Sequence, residues 1–112
     1  MANPWRGETA LVIDGETRVM RLTLGALAEL EAGLGEDSLL ALVERMEAGR
    51  FSSRDVLALI VAGLRGGGWQ VGPEALISAE IAGGPMGAAR AAAELLARAF
   101  LPPEAHEARD AP

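Results

Sequence analysis

Residues 10–20 read ALVIDGETRVM. Asp14-Gly15 stands between two β-rich runs, the strongest short-range hairpin signal, because a two-residue type I′ turn needs positive φ at both central positions. A turn there pairs Ile13 with Glu16, Leu11 with Arg18 and Glu8 with Arg21. With a side-chain period of two, that register places Leu11, Ile13, Met20 and Leu22 on one face. Ala10, Val12 and Val19 fall on the other face, and Glu8 meets Arg21 as an opposite-charge cross-strand pair. A lone hairpin is marginal in water, so one face must pack on helices.

The chain after the hairpin supplies them. LTLGALAELEAGL, residues 22–34, opens on Thr23 as a cap, carries Leu27, Leu30 and Leu34 as an inward stripe, and ends at Gly33 or Gly35. A second helix covers about Ser38 to Ala48, capped by Asp37 or Ser38, with apolar residues at helical spacing at 39, 42, 43 and 46. FSSRDVLALIVAGLRGGG, residues 51–68, gives a third helix; Ser52 and Asp55 match a capping box with Asp in place of the usual Glu. Val56 to Leu64 has no polar face, which predicts a buried helix at the centre of the core, and Gly66-Gly67-Gly68 stops it. A short fourth helix starts at Pro73, and a longer fifth, rich in Ala and Leu, starts near Pro85 and ends before Pro102-Pro103. The fold class expected is α+β: an N-terminal β-hairpin packed on a bundle of four to five helices. Residues 1–101 form one domain, and residues 102–112, which lack a large apolar group, form a flexible C-terminal tail.

Composition excludes several function classes. The 112 residues contain no cysteine, so disulfide scaffolds, thiolate metal sites and thiol nucleophiles are out. All ten basic residues are arginine, which removes Schiff-base lysines and the lysine of a phosphate-binding loop. The net charge is −6 with the arginines scattered, a poor match to nucleic acid or to an anionic membrane. The longest strongly apolar run, Val56 to Leu64, falls far short of the ~20 residues that span a bilayer, and charged residues through positions 1–25 leave no signal peptide. The location expected is the cytoplasm.

No catalytic or metal constellation emerges. His106, the single histidine, sits between Glu104 and Glu107 in the tail, without a rigid scaffold to hold a metal. Glu29 with Glu31, and Glu44 with Glu47, fit the wet faces of helices, and the serines at 38, 52, 53 and 78 have no histidine base in the folded region. The glycine runs at 63–72 and 83–87 neither follow a strand nor carry the Lys-Ser/Thr pair of a phosphate loop. The reading is therefore of a non-enzyme without cofactors or metal. Charge on the fifth helix is confined to one line, Arg90, Glu94 and Arg98, which leaves more apolar surface than one core contact uses. Met86, Leu95 and Phe100, large groups among alanines, are candidate partner-binding anchors, together with Val12 and Val19 on the second apolar face of the hairpin.

The segments RGETALVIDGETRVMRLTLGALAELEAGLG (6–35), MEAGRFSSRDVLALIVAGLRGGG (46–68) and the Ala-Leu terminal helix resemble, in order and spacing, the tail-assembly chaperone family of gene transfer agents, also labelled a tail tube protein family. Those particles are domesticated, phage-like DNA carriers of alphaproteobacteria. The resemblance covers roughly residues 3–101 and implies a tail assembly chaperone that binds the tape measure protein and recruits tail tube protein subunits, with self-association a further expectation. The alternative is a structural tail component, a tube or connector subunit. A tube wall built as a closed ring of sheet needs more strand than one hairpin provides, which weighs against it.

Overall fold

A computed structural model describes residues 2, 3, 6–35 and 38–100; the expected tail, with His106, and Asp37 as an alternative cap lie outside the described residues. Strands β1 (Glu8–Ile13) and β2 (Glu16–Arg21) pair antiparallel in the expected register, from Glu8 opposite Arg21 to Ile13 opposite Glu16. Asp14 and Gly15 have φ of +51° and +82°, positive at both turn positions as type I′ demands. Leu11, Ile13, Met20 and Leu22 are all buried, and Thr9 joins them on the inner face. The cross-strand charge pair does not form: the Glu8 carboxylate accepts from the Asn3 backbone N–H at 2.7 Å and lies 3.9 Å from the Arg6 guanidinium.

The hairpin edge is not left open. Ile81 bridges to Ile13, the Asp14 N–H donates to the Glu80 carbonyl at 2.7 Å, and the Ala82 N–H donates to the Val12 carbonyl at 3.0 Å. The Asp14 carboxylate also accepts from the Glu80 N–H at 2.8 Å, so the turn residue that tolerates positive φ clamps a segment distant in sequence as well.

Helices α1 (Leu24–Gly33), α2 (Leu39–Ala48), α3 (Ser53–Gly66), α4 (Pro73–Ile77) and α5 (Gly84–Phe100) follow. Thr23 and Ser38 cap α1 and α2 by accepting from Ala26 and Ala41 N–H. Ser52 and Asp55 form the full capping box on α3. On α1 the buried face is Ala26 and Leu30, with Leu27, and Leu34 just past the helix, packed at its margin; α1 meets α3 where Ala26 faces Gly66.

Helix α3 is the central strut: it packs against β2, α1, α4 and α5. Leu59, Ile60 and Leu64 are essentially inaccessible. A Cβ at Gly63 would lie 2.5 Å from Leu95 Cδ2 and 3.0 Å from Met20 Cβ, so this glycine is where the hairpin and α5 meet α3. Polar ties hold the frame. Arg45 of α2 donates Nε and Nη2 to the Asp55 carboxylate at 3.0 and 2.9 Å, a fork that fixes α2 on the start of α3. Arg98 of α5 donates to the Glu8 carbonyl at 2.6 Å and contacts Glu94 at 2.6 Å. Arg18 lies 4.0 Å over the Trp69 ring.

Candidate functional site

Among the described residues an apolar groove of about 720 Å³ is bounded by the start of α3, by α4 and by the start of α5. Local sequence explains its shape. Phe51 immediately precedes the Ser52 cap and Val56 lies at the fourth helical position, the two places of a hydrophobic staple, and both line the groove. Pro73 starts α4, which runs for five residues and ends at the exposed Ile77. On α5 the wall is Ala88 and Ala89, whose small side chains keep the groove deep, while Met86 stands at the rim. Ile77 and Met86 are 74% and 70% exposed, and Phe51 is 36% exposed. Ser53 and Arg54 supply the polar side chains of the lining.

A smaller depression of about 210 Å³ lies between α2 and the C-terminal half of α5. Val43, Glu47 and Phe100 line it, and Leu40, 66% exposed, stands one turn before Val43 on α2.

The anchors expected from sequence divide. Met86 and Phe100 are exposed but stand at opposite ends of α5. Leu95 is fully buried and is a core residue, not a free anchor, because it fills the space that Gly63 leaves on α3. Val12 is partly exposed beside the residue 79–84 segment, and Val19 is half-buried with its carbonyl oxygen against Gly67. The structure therefore does not bring the five together. Sequence reasoning missed Phe51, Ile77 and Leu40; the staple position of Phe51 was the available signal.

The chemistry of this surface is burial of apolar area. Among the described residues no group of three or more His, Asp or Glu is placed to hold a metal ion, and no helix is long and apolar enough to cross a membrane. The Arg45 hydrogen bonds hold the Asp55 carboxyl below the ordinary carboxylate range, against the opposing effect of burial, with the Ser52 N–H adding to the lowering. That carboxyl serves the α2–α3 junction rather than the groove.

A family model described as phage tail tube protein, GTA-gp10, matches residues 6–101. The chain belongs to that family. Neither a curated protein nor a solved structure gives a significant match. Membership of the GTA-gp10 tail tube family supports a gene transfer agent and phage tail setting, and it corrects the chaperone expectation: the family is one of tube proteins, so the structural alternative is favoured. The strand-count objection is outweighed by this family match.

Proposed function

We propose that this protein is a structural subunit of the tail tube of a phage-like gene transfer particle and that it works by self-association. The observation that carries the reading is the tail tube family match over residues 6–101. Two features support it. Large apolar groups at Phe51, Ile77, Met86, Leu40 and Phe100 are exposed, which costs solubility in a monomer unless a partner covers them. The net charge of −6 suits a wall past which DNA moves, since a chain with more acidic than basic groups repels phosphates on balance.

Quantitative mass spectrometry of purified particles tests the reading. A tube subunit is expected at a fixed copy number in large excess over proteins present once per tail. Absence from particles whose tails are intact would refute it.

A further inference from the structure

Five of the seven large apolar groups exposed among the described residues fall on two separate surfaces, Phe51, Ile77 and Met86 at the groove and Leu40 and Phe100 at the α2–α5 depression, while Val12 and Leu24 line neither; the separation of the two has a consequence. We propose that copies of this chain associate head to tail, the groove between α3, α4 and α5 of one copy receiving the α2–α5 patch of the next. This deepens, and takes its biological setting from, the tube-subunit reading; the geometry stands on three observations.

The first is placement. Met86 at the groove and Phe100 at the other patch are the two ends of one rigid helix, about 21 Å apart at a rise of about 1.5 Å per residue. Both ends carry apolar side chains exposed to water. One self-complementary patch produces a two-fold dimer, whereas two different patches produce a heterologous contact that closes into a ring or extends as a filament.

The second is shape. The groove, at about 720 Å³, has room for several side chains, and its buried floor includes Ile60 and Leu76. The opposite patch presents projecting groups: Leu40 stands out from the first turn of α2, and Phe100 from the end of α5. Large side chains seated in a deep apolar slot are the usual energetic centre of an interface.

The third is charge. Arg54 lines the groove, and Arg90 lies one turn beyond Met86 on α5; both are exposed, and neither forms an ion pair among the described residues. Glu47 lines the α2–α5 depression, and Glu44 lies one turn beyond Leu40; both are exposed and likewise without an ion pair among the described residues. Glu74 and Glu80, near the groove in sequence, are not among its lining side chains. Near the other patch, Arg45 is engaged by Asp55 and Arg98 by Glu94, so neither offsets the acidic rim. A basic rim around one patch and an acidic rim around the other favour unlike contact and disfavour groove-to-groove pairing.

The test uses the purified full chain in sedimentation velocity over a wide concentration range. Wild type is expected to grow beyond dimer with concentration. Ile77→Asp and Leu40→Asp, both at exposed positions, should keep the native circular dichroism spectrum and each weaken association about a hundredfold. Mixed one to one, they should form a dimer that grows no further, because one intact groove meets one intact patch. Arg54→Glu with Arg90→Glu should weaken association about tenfold, as should Glu44→Arg with Glu47→Arg, and the four changes together should restore it. A wild type that stays monomeric at millimolar concentration overturns the proposal. So does loss on Ile77→Asp with none on Leu40→Asp, which means two-fold groove-to-groove pairing. A monomeric wild type whose Ile77→Asp variant fails to enter particles assigns the groove to another particle protein, overturning head-to-tail contact while leaving the tube reading standing. Head-to-tail growth by a chain absent from particles would do the reverse.

Discussion

Gly66→Ala separates what a helix end tolerates from what this junction tolerates. By helix propensity alone, alanine in the last turn of α3 should be neutral or gain up to about 1 kcal/mol. The structure reverses that sign. A Cβ at Gly66 would sit 1.9 Å from the Arg21 carbonyl oxygen and 3.1 Å from its carbon, with Ala26 Cβ 3.2 Å away. Non-bonded carbons prefer about 3.5 Å or more from their neighbours, so the methyl group arrives roughly 1.5 Å too close to a backbone atom that cannot rotate aside. Relief requires moving the end of β2 off α3, which opens the contact that buries Met20 and Ala26. Overpacking against side chains costs about 1–3 kcal/mol, and a backbone obstacle belongs at or above the top of that range. Net of propensity the expected loss is about 2–4 kcal/mol, which lowers Tm by roughly 10–25 °C for a domain of this size. Thermal unfolding followed at 222 nm measures it. Gly68→Ala is the control: φ there is +107° and nothing lies within 4 Å of an added Cβ, so only backbone strain of about 1 kcal/mol applies. A Gly66→Ala protein as stable as wild type, or less affected than Gly68→Ala, would refute the reasoning.

Other expected outcomes follow from the same frame. Asp55 has its pKa lowered by Arg45, so its contribution is fully present above the unfolded value of about 3.9 and is lost as pH falls through the lower folded value. Asp55→Asn should cost about 1–3 kcal/mol at neutral pH, and urea midpoints measured from pH 7 to pH 2 should fall less steeply than those of wild type. Gly15→Val places a β-branched residue at a φ of +82° and should cost at least about 1–3 kcal/mol or slip the hairpin register, read by denaturation and by cross-strand nuclear Overhauser contacts. Ile60→Asp puts an unpaired carboxylate at a site 2% exposed and should leave the chain unfolded or aggregated; a soluble variant with an unchanged Tm would overturn the buried-strut role of α3.

The sequence alone determined the features set by neighbours in the chain. Asp14-Gly15 dictates the turn and, through it, the whole register of β1 with β2, because a two-residue loop leaves one pairing. Thr23, Ser38 and the Ser52–Asp55 box start their helices through hydrogen bonds that reach only three residues along the backbone. The unbroken apolar run of α3 announced a central helix, although its Leu57, Ala58 and Val61 face is only partly covered. Tertiary structure decided the rest. Leu95 and Phe100 look alike on a helical wheel of alanines, yet Leu95 fills the gap above Gly63 while Phe100 remains at the surface. Residues 80–82 give no strand signal and bond to β1 only because the chain between α4 and α5 returns past the hairpin turn. Phe51, Ile77 and Met86 line one groove although 35 residues separate the first from the last. Local rules act through dihedral preference and short-range hydrogen bonds, whereas which apolar group is covered depends on where distant backbone passes, and that is fixed only once its neighbours have packed on α3.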